Sequence, residues 1–215
     1  MRQFRQIAAV AIVLLAAIVL VLSGARWDAV IYRLAVDGSV AVVWLAAALG
    51  LGALASPLLK RTGSPIALRL MTEWALGIGL IGLITLALGL AGVLSTVWAW
   101  GILLAGLILL AIRIWRHRRF QVERCPPSSW LWLLIVPPLA VVLVAACVPP
   151  GLLWGDEPNG YDVAEYHLQI PREWRESGRI NAMDHNVFSF FPQGVEMHYL
   201  LAMHLRAGPW AGMFV

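Results

Sequence analysis

The sequence predicts an all-α membrane protein: a polytopic transmembrane helix bundle with an extracytoplasmic loop containing short interfacial helices. Three observations lead there. Of 215 residues, 60% are hydrophobic and only 13% charged, with a mean hydropathy of +0.78; a soluble domain carries roughly a quarter of its residues charged. Five long apolar stretches precede residue 150. The basic residues alternate in density between the segments that join them. This composition also excludes a disordered chain, a collagen and a basic nucleic-acid tail.

The apolar stretches are 7–25, 39–59, 74–94, 97–114 and 130–148. A bilayer core of about 30 Å needs ~20 helical residues. The fourth stretch is short, and it qualifies when Arg113 and Arg116 snorkel to the headgroups. Arg2, Arg5, Lys60, Arg61, Arg69, Arg113, Arg116, Arg118, Arg119 and Arg124 fall on one side; Arg26 and Arg33 fall on the other. The basic side is read as cytoplasmic. The N-terminus is then cytoplasmic, and the segment after Val148 is extracytoplasmic. The net charge of +4 is thereby a topology signal, and the run RIWRHRRF is an anchor rather than a nucleic-acid patch.

Tryptophans agree with this placement. Trp74, Trp115, Trp130 and Trp132 fall at the inner boundaries, and Trp27, Trp98, Trp100 and Trp154 at the outer ones, where amphipathic rings favour the headgroup layer. Ser95-Thr96 closes the third and fourth spans into an antiparallel hairpin. Gly77, Gly79, Gly82, Gly89 and Gly92 let the third span approach its neighbours closely. Pro137-Pro138 should kink the fifth. A cleaved signal is the alternative for the first, with Ser23-Gly24-Ala25 as the processing site; the later topology is the same either way. Cys125 and Cys147, if a helix joins them, stand about 33 Å apart at 1.5 Å per residue and do not pair.

The domain organisation is a five-span region over 1–148, an extracytoplasmic loop over 149–194, and the start of further membrane helices over 195–215. Eight of the twelve acids and four of the five histidines lie after Val148. Asp162 reads as a helix N-cap with Glu165 three residues on. The helix of 163–177 has Gly178 as its terminating residue and a charged face of Arg172, Glu173, Arg175 and Glu176 along the membrane surface. Residues 181–191 form a loop. Pro192 opens another helix, with Glu196 in its first turn, that enters the bilayer near Leu200.

The run Tyr161-Asp162-Val163-Ala164-Glu165-Tyr166-His167-Leu168 resembles the YDxxxYHL segment of polytopic GT-C glycosyltransferases, the membrane mannosyltransferase-like family. Gly178-Arg179-Ile180, His185-Asn186-Val187-Phe188-Ser189, Phe191-Pro192, Glu196-Met197 and Tyr199-Leu200-Leu201 extend the resemblance over about residues 149–206. It implies transfer of a sugar from a polyprenyl-phosphate carrier to a lipid, glycan or protein hydroxyl at the outer face, with Asp162 as the base. Such transfer needs a carboxylate within reach of the acceptor proton and a group to offset charge on the departing phosphate.

Asp156 and Glu157 are the runner-up acids. Glu165 and His167 are candidates to support Asp162 or to bind a divalent cation, although His167, at i+5 on an α-helix, points away from Asp162. D-x-x-E-x-H alone is a sparse metal signal, and no residue is assigned as a metal ligand. Arg172, Arg175, Arg179 and His185 are candidates for the carrier phosphate. Glu196, His198 and His204 lie where a helix meets lipid, which makes ionisable groups functional candidates.

The expected setting is the cell envelope, in the cytoplasmic (inner) membrane. The expected partners are membrane lipid, a polyprenyl-phosphate-linked sugar and its acceptor, with no nucleic acid. In the family the acidic loop follows the first span and many spans come after it. Here it follows the fifth, and the sequence stops in an apolar run, so the expectation is the N-terminal part of a longer enzyme. The rival classes are a non-catalytic membrane scaffold or assembly subunit, and a transporter. The transporter is disfavoured because the five apolar stretches hold no acid and no histidine.

Overall fold

A computed structural model describes residues 2–22, 26–55, 57, 66–116, 134–148 and 162–215. Among them every regular element is helical, apart from one isolated bridge between Met183 and Asn186. The helices are α1 (Arg2–Leu22), α2 (Trp27–Gly52), α3 (Ile66–Leu90), α4 (Thr96–Arg116), α5 (Val136–Ala146), α6 (Gln169–Ser177), α7 (Glu196–Leu205) and α8 (Trp210–Phe214). Trp27–Ala55, which is α2 with its trailing 3₁₀ turn, α3 and α4 are long and apolar enough to cross a membrane. The apolar parts of α1 and α5, Ala8–Val19 and Val136–Ala146, are shorter.

α2, α3 and α4 form an antiparallel bundle, with α2 packed on both others and α1 on α5. Its core is Trp44, Ala47, Ala48, Leu51, Ile81, Ala99, Ile102, Leu103 and Leu201. The three helices approach backbone to backbone. A Cβ on Gly50 or Gly106 would collide with the main chain of the facing helix, α4 or α2. A Cβ on Gly52 would strike the Glu73 carbonyl, and one on Gly77 the Ala48 carbonyl. Small residues at a helix interface permit this, because in lipid it is packing that drives association. The close-packing role expected of the third-span glycines therefore holds at Gly77, whereas Gly79 faces open space.

The turn between α3 and α4 covers Ala91–Ser95, longer than a two-residue link. Gly92 takes φ 69°; Val93 N–H donates to Leu88 O and Gly92 N–H to Gly89 O, both at 3.0 Å. This pairing satisfies the last carbonyls of a helix through a left-handed glycine. The same device ends α6, where Gly178 takes φ 72° and Arg179 N–H donates to Trp174 O at 3.1 Å.

α2 and α3 start well before their apolar stretches, and this overturns one part of the sequence reading. The helices that form do contain acids: Asp37 in α2 is 0% exposed and Glu73 in α3 is 1% exposed. Each is tolerated because a guanidinium neutralises it. Asp37 Oδ2 accepts from Arg33 at 3.0 Å, one helical turn earlier, and its Oδ1 accepts from Arg206 Nε. Glu73 forms an ion pair with Arg113 of α4 at 2.5 Å, without the alignment of a hydrogen bond. The absence of acids in the apolar stretches is thus no argument about what the bundle can carry.

The segment from residue 162 onward packs at the end of the bundle that holds the α3–α4 turn. A second core of Leu94, Ile170, Trp174, Ile180, Met183, Met197 and Leu200 ties it there, and Ile180 N–H donates to Gly89 O at 2.9 Å. Residues 187–190 form a 3₁₀ turn, and α7 starts at Glu196 rather than Pro192. Asp156, Glu157, Cys125, Trp130, Trp132 and Trp154 lie outside the described residues.

Candidate functional site

The candidate site is built from the π-helical turn Val163–Leu168, which leads into α6, and the first turn of α7. A proline explains the π turn. Pro171 has no N–H to give the His167 carbonyl, and its ring pushes on that carbonyl, so the ladder before it slips by one residue. Asp162, at the head of this turn, has helical angles and makes no side-chain cap bond. The expected N-cap is therefore not formed: a residue already inside the helix cannot turn its carboxylate back onto the first amides.

The slip has a chemical consequence. A π turn takes one more residue per hydrogen-bonded turn than an α turn. The residue one turn above Asp162 therefore shifts from i+4 toward i+5, the position of His167. Tyr166 lies beside them. Burial, and then the charges of Asp162 and Glu196, push its phenol above its ordinary value.

His167 Nδ1 meets Glu196 Oε1 at 2.5 Å. The Glu196 side chain is 4% exposed and that of His167 is 31% exposed. With the carboxylate on Nδ1, the ring is fixed and Nε2 is left for another partner. Tyr199 sets its edge on the His167 ring at 6.4 Å. Tyr166 stacks on Phe188 at 4.7 Å, and Asn186 Nδ2 donates to Glu165 O at 2.9 Å. Asn186 also holds its own turn, accepting from Phe188 N–H at 3.1 Å.

The basic candidates separate. Arg172 pairs with Glu176 at 2.8 Å on the surface, which holds its guanidinium pKa above the ordinary value. Arg179 packs its chain over Gly92. His185 is exposed and pairs with Glu173 at 2.9 Å. Arg175, together with Arg172, Glu173 and Glu176, lines a cavity of about 810 Å³ between α6 and the α7–α8 corner, with Leu168, Met203 and Pro209 as its apolar part. Its Nε is buried without a hydrogen-bond partner among the described residues. Glu196, a candidate where its helix meets lipid, is the partner of His167. His198 lies over Gly82 and sets its edge on Trp44 at 5.2 Å. His204 lines a small cleft with Leu94 and Trp174.

Among the described residues no three His, Cys, Asp or Glu side chains come together as a metal site. Sequence reasoning missed Asn186 and Tyr166 as the members that join the two halves, and it missed the Asp37 and Glu73 ion pairs altogether. Asp37 carried a signal, an arginine four residues before it. Glu73 carried none, because its partner is 40 residues away. No protein-family model, curated protein or solved structure matches the chain.

Proposed function

We propose that the chain belongs to a multi-pass membrane glycosyltransferase of GT-C type, which moves a sugar from a polyprenyl-phosphate carrier to a hydroxyl acceptor at the extracytoplasmic face. The observation that carries this reading is the meeting of His167 with Glu196. The resemblance rests on short motifs spread over about residues 149–206, among them 161–168 and 191–201. A resemblance by chance gives no reason for those runs to touch; a common site does. Their contact gathers Tyr166, His167, Glu196 and Tyr199, with Asp162 at the head of the same turn.

In this reading the polytopic bundle is oriented by its basic loops, with the α3–α4 turn and the site outside. Glu73 and Arg113 then lie at the cytoplasmic end. Asp162 takes the proton of the acceptor hydroxyl, as a positioned carboxylate can. The new bond forms between that oxygen and the anomeric carbon, and the carrier phosphate leaves with the bonding pair. Arg175, whose Nε has no partner among the described residues, is the cation best placed to meet a phosphate oxygen.

The test uses membranes that carry the chain, supplied with radiolabelled hexosyl undecaprenyl phosphate. Label should move from the carrier into a lipid, glycan or protein product. Asp162→Asn at equal expression should lower the rate at least ~100-fold, the usual contribution of a general base. No transfer above control membranes overturns the reading. Full transfer by Asp162→Asn overturns the role of that residue, and a scaffold would show neither effect.

A further inference from the structure

Asp37 serves two arginines, and the pairing leaves charge over. Its Oδ2 accepts from Arg33 Nη1 at 3.0 Å and its Oδ1 from Arg206 Nε. The carboxylate is fully buried between them. Among the described residues neither guanidinium meets a second carboxylate. One negative charge does not balance two positive ones, so the cluster keeps one positive charge in excess.

Both arginines are held in place. Arg206 Nη2 donates to Tyr32 Oη at 3.1 Å. Arg33 lies over the Trp210 ring, its Cζ 3.9 Å from the centre, where a cation is attracted to the ring face. A guanidinium has five N–H donors, and these contacts use one from Arg33 and two from Arg206. The side chains are 25% and 34% exposed, and among the described residues their remaining nitrogens are not buried without a partner. Two donor forks are thus fixed by Asp37, Tyr32 and Trp210 with N–H groups still open to the surface.

Interhelical contacts give the level of the cluster. Gly52 of α2 meets Glu73 of α3, and Ala48 meets Gly77, so four residues back along α2 match four residues forward along α3. On that register Asp37 stands about level with Leu88, less than one turn from the end of α3. The composition of α2 agrees. Residues 38–55 carry no charge and cover about 27 Å at 1.5 Å per residue, close to the ~30 Å of a bilayer core. Asp37 and Arg33 therefore fall where hydrocarbon gives way to headgroups. Trp27 and Tyr32, earlier on the same helix, are exposed, as aromatic residues of the headgroup layer are. α2 also exposes Ile31 and Leu34 in the turn that holds Arg33, so an anion arriving there lies beside apolar surface.

We propose that Arg33 and Arg206, set by Asp37, bind the phosphate of an anionic phospholipid in the leaflet on the side of the α3–α4 turn. The planar forks match phosphate oxygens, the excess charge favours a headgroup of net negative charge, and the acyl chains cover Ile31 and Leu34. This depends on the bundle lying in a bilayer and not on the sugar-transfer reading, since Arg33, Asp37 and Arg206 do not line the cavity at Arg175.

The experiment measures lipid retained by the full chain in detergent, by native mass spectrometry, after addition of equal amounts of phosphatidylglycerol and phosphatidylcholine. The parent should retain phosphatidylglycerol at least fivefold better. Arg33→Gln and Arg206→Gln each leave Asp37 one partner and remove the excess charge. Each should lower that retention about fivefold, the weight of one basic residue at an anionic surface. Arg26→Gln, which removes an arginine already paired with exposed Asp28, should retain lipid like the parent. No preference for phosphatidylglycerol in the parent overturns the proposal, and that reading needs no variant. An equal loss in Arg26→Gln also overturns it, because the attraction would then be general surface charge. Displacement of the bound lipid by an excess of inorganic phosphate would overturn the lipid assignment, since the site would take the anion without its tails.

Discussion

At the end of the bundle where α3 begins, Glu73 and Arg113 meet one to one beside α2, whose backbone touches both of their helices. At the end where α3 finishes, the charges are spread more widely. Asp37 is shared by Arg33 and Arg206, and Arg33 also lies 3.9 Å from the centre of the Trp210 ring. Among the described residues His167 is bound on one nitrogen only, and Arg175 borders a cavity. Among the described residues the first end is closed by backbone contact at Gly52 and Gly77. The second keeps hydrogen-bonding capacity unspent beside open volume. Close packing and binding capacity are thus divided between opposite ends, and a functional site belongs where polar groups are held in place without being used up.

The sharpest way to break this comparison is to overfill the tight end. Gly77→Leu drives a side chain into the Ala48 carbonyl. Forcing a side chain into a packed core costs about 1–3 kcal/mol, and here the obstacle is main chain, which cannot rotate away. The variant should fail to give monodisperse protein in detergent. Gly79→Leu, two residues along on the same helix, meets open space and should purify and melt like the parent. Equal behaviour of the two would mean that the helices are not in backbone contact.

A smaller effect is expected from the ion pair at that end. Removing one partner of a buried pair strands the other and costs about 3–5 kcal/mol, whereas replacing both by apolar residues is often neutral. Glu73→Leu alone should lower the melting temperature markedly, and adding Arg113→Met should recover most of the loss. A double variant as unstable as the single one would show that the pair does more than neutralise itself.

How much of this was legible depended on the range of the interaction. Of the five apolar stretches of 18–21 residues, three lie in helices long and apolar enough to cross a membrane, and these followed from local composition, because a helix satisfies its own backbone wherever water is removed. The glycine terminating α6 was equally local. The helix starts were not, since Asp37 and Glu73 look like loop residues until Arg206 and Arg113 come from far along the chain to neutralise them. At the site, Asp162 and His167 were visible as residue types, but their relation was misread with α-helical spacing. The cause was Pro171, four residues beyond His167, whose effect on the turn before it is a matter of hydrogen-bond register rather than of residue pattern.

The mildest test compares two arginines on α6. Arg172 and Glu176 are exposed (71% and 56%), in water that screens their attraction, and exposed pairs of this kind often contribute nothing measurable. Arg172→Ala should leave the melting temperature unchanged, and it should also leave unchanged the binding of geranylgeranyl phosphate, a short carrier-like probe, to protein in vesicles. Arg175→Ala should be equally silent in melting yet weaken that binding at least fivefold, because its guanidinium is the one on α6 without a carboxylate partner among the described residues. Identical binding losses in the two variants would make the contribution general surface charge, and the distinction between a spent and an unspent cation would disappear.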